Sequence, residues 1–185
     1  MLINLRTVTL CLSLLIISCV DHRDPQPSPY TAIPDINFEK ALIDLKIDDI
    51  QDGIVLTANA KKVTRLYIFS KGIQSLVGIE AFTGLTDLYC FDNKLNILDI
   101  SKNTALQFLY CSNNKLTILD VSNNTALVFF DCSYNELTSL DVSKNNALGF
   151  LACLRNSIQT ICVNSLNQVK LSWLKDASAI YKVCP

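Results

Sequence analysis

From Leu85 onward the apolar and polar positions of the chain recur every 21 residues. The first unit places Leu85, Leu88, Cys90, Leu95, Leu98 and Ile100 in its apolar slots. The slots refill with Leu106, Leu109, Cys111, Leu116, Leu119 and Val121, and then with Leu127, Phe130, Cys132, Leu137, Leu140 and Val142. A last unit supplies Leu148, Leu151, Cys153, Ile158, Ile161 and Val163. Alternation around Leu88-x-Cys90 predicts a short strand, with two side chains turned inward and their neighbours turned out. A short fixed period predicts a solenoid, because one coil cannot bury its own apolar face and needs a neighbour to cover it. Each buried Leu or Ile contributes about 1.5–3 kcal/mol, so the slots join into one continuous core.

Two polar columns accompany the apolar ones. Asn93, Asn114, Asn135 and Asn156 follow the strands, where a side-chain amide bonds the backbone of the turning chain. Asp99, Asp120 and Asp141 form the second column, and local bonding to turn amides is favoured there over a ladder of calcium sites. The unit LxxLxCxxNxLxxLDxSxNxA resembles a leucine-rich repeat of the short type with Cys in the third apolar slot, met in exported proteins of Bacteroidetes-type bacteria. Upstream, Ile33-Pro-Asp-x-Asn37-Phe-Glu and the stretch from Val63 through Leu66, Gly72, Ile73 and Ile79 to Phe82 resemble that family's cap and a longer first coil. The resemblance implies an α/β solenoid: a leucine-rich repeat arc with a parallel β-sheet on its concave face, an N-terminal helical cap and an irregular C-terminal cap. The segments expected are 1–18 signal peptide, 19–33 lipidated Cys and Pro-rich tether, 34–62 N-terminal cap, 63–168 coils and 169–185 C-terminal cap.

The cap has its own pattern. Asp35 can cap a helix in which Phe38, Ala41, Leu42 and Leu45 fall at i, i+3, i+4 and i+7. Such a helix closes the open end of the stack. Asp48 to Gly53 suggests the start of an EF-hand loop, yet Ile50 stands where a third ligand belongs and Asn59 where a bidentate Glu is needed. No calcium site, metal or other cofactor is expected.

The chain has 8 Cys. Cys90, Cys111, Cys132 and Cys153 share one inward slot, and stacked parallel strands hold their Cβ atoms about 4.8 Å apart. A disulfide wants about 3.5–4.5 Å and converging vectors, so the reading is a ladder of buried free thiols acting as small hydrophobes. Cys162 and Cys184 break the period, and a bond between them would tie the C-terminal segment, with Trp173 and Tyr181, over the last coil. Arg6 precedes an apolar run from Val8 to Ile17 that fits a signal peptide better than a bilayer span. The run ends Ile16-Ile17-Ser18-Cys19, which resembles a bacterial lipobox and marks Cys19 for lipidation. Pro25, Pro27 and Pro29 then predict an extended tether. These features place the protein in the bacterial cell envelope, lipid-anchored in the outer membrane, at the cell surface or on the periplasmic face.

With 16 basic and 17 acidic residues and no basic patch, nucleic acid is not an expected partner. A nucleophile with a nearby base, a Gly-rich phosphate loop and paired carboxylates in a cleft are missing from the sequence, so an enzyme is not expected. Function is expected on the outward residues of the strands, which line the concave face. There the sequence sets Tyr67, Phe69, Tyr89, Phe91, Phe108, Tyr110, Phe129, Asp131, Tyr134 and Phe150, nine of the chain's 14 Phe and Tyr among them. Leucine slots already fill the interior, so a contiguous aromatic face marks an interaction surface for a protein or a glycan. A structural envelope lipoprotein, whose rings only stabilise the sheet, is the alternative.

Overall fold

The computed structural model describes residues 28–184. The signal peptide, Cys19 and most of the tether lie outside the described residues. The chain opens with β1 (Tyr30–Ala32), α1 (Ile36–Asp44), β2 (Ile54–Leu56) and α2 (Thr57–Ala60). Then come the strands β3 (Arg65–Tyr67), β4 (Asp87–Tyr89), β5 (Phe108–Tyr110), β6 (Phe129–Asp131), β7 (Ser139–Asp141), β8 (Phe150–Ala152), β9 (Thr160–Val163) and β10 (Ile180–Val183). The main sheet is parallel, in the order β3-β4-β5-β6-β8, and its register repeats coil by coil: Asp87 beside Phe108, Phe108 beside Phe129, Phe129 beside Phe150. A second parallel sheet, β10-β9-β7, runs along another side of the last coils.

The apolar slots fill the interior as the period requires. Leu88, Leu109, Phe130 and Leu151 are fully buried at the strand centres, and the same holds for Leu85, Leu106 and Leu127. Cys90, Cys111, Cys132 and Cys153 are buried free thiols in one column. Burial pushes the Cys90 and Cys153 thiols up to about 12, and Cys111 and Cys132 well above the ordinary range.

The polar columns hold the coils to one another. Asn114 Oδ1 accepts from the Leu95 amide of the coil before, while Nδ2 donates to the Cys90, Cys111 and Ser112 carbonyls. Asn135 repeats the arrangement one coil on. Asp99, Asp120 and Asp141 each accept from the backbone amide two residues ahead, at 2.8–3.0 Å, which is the local turn bonding expected of them. Bonding to Ser101 and Ser122 keeps Asp99 and Asp120 below the usual carboxylate range. A third column also knits the coils. Asn103, Asn124 and Asn145 are fully buried, and each Nδ2 donates to two turn carbonyls. Gln168 takes that role at the end of the stack, donating to Val142 and Asn145.

Asp35 caps α1 through Oδ1, and its Oδ2 accepts from the Gln74 and Ser75 amides of the first coil. One carboxylate therefore starts the helix and docks it. Helix α1 stops a residue short of the periodicity: Leu45 is its C-cap and is exposed, because the chain turns there through Lys46 at positive φ. Residues 30–32, expected in the tether, pair instead with β2 and belong to the cap. The C-terminal cap is more regular than expected. Leu174 bridges Ala152 in parallel as a further rung, Asp176 Oδ2 accepts from the Asn156 amide, and the Cys162–Cys184 disulfide ties the end of β10 beside β9.

Candidate functional site

In each strand of the main sheet the central residue points into the core, so its two neighbours must point out. Tyr67, Tyr89 and Tyr110 occupy one outward column, which continues as Asp131 and Ala152. Arg65, Asp87, Phe108, Phe129 and Phe150 occupy the other. Parallel strands are spaced about 4.8 Å apart, close to the thickness of a stacked ring pair, so flat side chains in one column lie face on face. Tyr67 stacks on Tyr89 at 4.7 Å between ring centroids, and Tyr89 on Tyr110 at 4.5 Å. At the next coil Asp131 replaces the ring, and the stack crosses columns: Tyr110 lies on Phe129 at 4.5 Å, and Phe129 on Phe150 at 4.5 Å. The outcome is an unbroken diagonal of rings over β3, β4, β5, β6 and β8.

Phe69 and Phe91 form a separate parallel pair beside the start of the diagonal, at 4.7 Å and 3°. Phe108 is half-buried next to the diagonal, outside the stacked series, and Tyr134 is exposed in the turn after β6. Of the ten expected face residues, the five that form the continuous stack are Tyr67, Tyr89, Tyr110, Phe129 and Phe150, while Tyr134 lies in the turn beyond the strands. None of the ten enters the core: Tyr67 and Phe69 are 41% and 42% exposed, and the inner rings are half-buried against each other. Desolvation inside the stack, with Tyr110, Tyr67 and Asp87 alongside, holds the Tyr89 hydroxyl above its ordinary range.

Polar groups frame the rings. Asp87 meets Arg65 Nε at 3.7 Å and accepts from Thr86 Oγ1 at 2.6 Å. Asp92 accepts from Ser70 Oγ at 3.3 Å and from Asn113 Nδ2 at 2.6 Å. Ser70, Asp92, Asn113, Tyr134 and Arg155 share a left-handed backbone conformation, with φ between 52° and 57°, which ends each strand of the face in the same turn. No repeated glycine announces that column. Among the described residues no group of three His, Cys, Asp or Glu converges as a metal site. The arrangement offers contact area, hydroxyls and a few fixed carboxylates.

The LVIVD repeat family matches residues 90–110 and 107–135. No curated protein matches the chain. Among solved structures the chain is similar to the functional domain of InlJ from Listeria monocytogenes, a domain that includes a cysteine ladder. The likeness has 28% identity and a TM-score of 0.58, over 72% of this chain and 38% of that one. It is also similar in fold to the internalin InlF of Listeria monocytogenes, at 16% identity and a TM-score of 0.58, over 71% of this chain and 50% of that one. The chain therefore spans half or less of the length of these solved relatives. The leucine-rich repeat solenoid is the fold they share, and the column of Cys90, Cys111, Cys132 and Cys153 is this chain's own ladder of thiols.

Proposed function

We propose that this chain is a binding module of the bacterial cell envelope, of the Bacteroidetes type, held to the outer membrane by lipid on Cys19, and that its concave face holds a protein partner. The observation that carries the binding role is the diagonal of Tyr67, Tyr89, Tyr110, Phe129 and Phe150, which the core does not need and water does not favour. Five strands give a surface about 20 Å across, room for a peptide segment or a patch of a folded protein. Large rings held rigid by stacking lose little entropy on contact, which suits Tyr and Phe as interface anchors.

The way the rings stack favours a protein over a glycan. A sugar ring docks by laying its C–H face on an open aromatic face. Here the inner faces are already covered by neighbouring rings at 4.5–4.7 Å, so edges and Tyr hydroxyls are what the inner rings present. Edges carry the positive part of the ring quadrupole and meet aromatic faces, carbonyls and carboxylates well. Such groups are abundant on protein surfaces.

The test is capture from intact cells with the wild-type chain and with Tyr89, Tyr110 and Phe129 together changed to Ser. A protein retained by the wild type and lost by the variant, at unchanged circular dichroism, is the expected result. Equal retention by both removes the concave face from the account. Capture of bulk envelope material alone favours a structural lipoprotein whose rings only stabilise the sheet. The anchor is tested separately: Cys19→Ala should abolish metabolic labelling with a fatty-acid analogue, and labelling that survives the change excludes lipid on that sulfur.

A further inference from the structure

Resting on the reading that the concave face binds a protein, we infer that Asp131 is the ionic anchor of that face and selects a partner presenting a lysine or arginine beside an apolar side chain. The column that carries Tyr67, Tyr89 and Tyr110 drops from ring to carboxylate to methyl at Asp131 and Ala152. It rises again at Leu174, which bridges Ala152 and is 44% exposed. Tyr110 leans onto Phe129 at 4.5 Å instead of continuing its own column, so the rings of that column end at Asp131, and Ala152 beyond it is buried. The result is a half-buried carboxylate, Asp131, set beside the ring diagonal where its own column changes from rings to small side chains.

The chemistry at Asp131 follows from which charges are already matched. Asp87 has Arg65, and Asp92 is held by Ser70 and Asn113. Asp131 Oδ1 accepts from the Ser133 amide at 2.9 Å, which fixes the carboxylate, and among the described residues Asp131 takes part in no ion pair. Lys175, next to Leu174, is turned away: its Nζ donates to the Ala179 carbonyl at 2.6 Å and sits 5.5 Å over the Tyr181 ring. Asp131 is half-buried, so an incoming cation is screened less than on open surface. A long basic side chain has the right form, because its methylene stem can lie against the ring diagonal while its head meets the carboxylate. An apolar neighbour on the same partner strand then meets the edges of Phe129 and Phe150.

The test is selection of a random peptide library displayed on phage against the purified wild-type chain and against its variants. Peptides enriched on the wild type should carry Lys or Arg adjacent to an aromatic or branched aliphatic residue, and should lose about tenfold or more in affinity on Asp131→Asn. That substitution keeps the shape and the side-chain oxygen facing Ser133, so the fold persists. Selection on Asp131→Lys should enrich Asp or Glu at the same peptide position. Peptides that need the rings but bind Asp131→Asn as tightly, or carry no basic residue, overturn this inference and leave the binding face standing. Peptides that bind the Tyr89, Tyr110 and Phe129 to Ser variant unchanged overturn the reading beneath it. A library that enriches nothing on the wild type overturns both.

Discussion

Asn114 shows how much of this fold rests on single amides. Its side chain takes the Leu95 N–H at 3.0 Å and gives two hydrogens to carbonyls of its own coil and the one before. Removing it leaves the buried Leu95 N–H without a partner and takes one donor each from the Cys90, Cys111 and Ser112 carbonyls, which keep Asn93, Asn135 and the Asp92 amide. Asn114→Ala should therefore lower stability by about 2–4 kcal/mol, read from the urea midpoint at constant slope. A loss under about 0.5 kcal/mol would mean that the turn finds other partners. This column was legible in the sequence, because an amide that recurs just after a strand has an evident task. The buried column of Asn103, Asn124 and Asn145 was written in the same repeat, yet its role was not legible. Periodicity marks a position as polar and recurrent, but burial comes from how the coil closes. The left-handed turn column was hidden for a related reason. Asp92 and Asn113 tolerate that conformation, but Tyr134 and Arg155 give no hint of it.

At the scale of elements, the strands and the cap helix were legible because each has a short-range cause: alternation for the strands, and Asp35 ahead of a helical apolar stripe for α1. What pairs with what across the cap was not. The β1–β2 pairing joins residues separated by a helix and a loop, and no local pattern names the partner. The seam between cap and first coil has one tight point. Gly78 has φ of 101°, and a Cβ there would stand 2.5 Å from the Ala32 carbonyl oxygen and collide with the Ile33 side chain. Gly78→Ala forces either the turn or the cap to move. The left-handed conformation alone costs an L-residue about 1–2 kcal/mol, and the clash adds to it. The expected result is a stability loss above about 2 kcal/mol. Faster amide exchange should appear in β1 and α1 before the coils. Uniform acceleration across all coils would show that the cap and the stack open as one unit.

For the whole molecule, what matters is that each coil is covered only by its neighbours, so the ends govern access to the interior. Cys153 belongs to the last complete coil, and the C-terminal segment shields it: its amide and its Sγ both donate to the Leu174 carbonyl. That segment is fastened by the Cys162–Cys184 bond, which closes a loop of 22 residues and constrains the unfolded chain by about 3 kcal/mol. Changing Cys162 and Cys184 together to Ser should loosen the segment, so that among the ladder thiols a reagent modifies Cys153 first, while Cys90, Cys111 and Cys132 wait for the coils to separate. Peptide mapping after timed alkylation reads the order, and equal rates at all four would refute end-first opening. The same ladder sets the alkaline limit. Burial holds each thiol above its ordinary value of 9.0, with Cys90 and Cys153 at about 12. Above pH 9 the unfolded chain gives up protons that the folded chain keeps, so it binds fewer of them and stability falls as pH rises. Each thiol adds up to about 1.4 kcal/mol per pH unit to that slope, and below pH 9 the ladder adds none. Replacing Cys111 and Cys132 by Ala removes two of the four contributions. Urea midpoints taken between pH 8 and 11 should then decline visibly less steeply than in the parent chain, even though the variant starts from a lower stability. Identical slopes would mean that the buried thiols do not carry the alkaline unfolding.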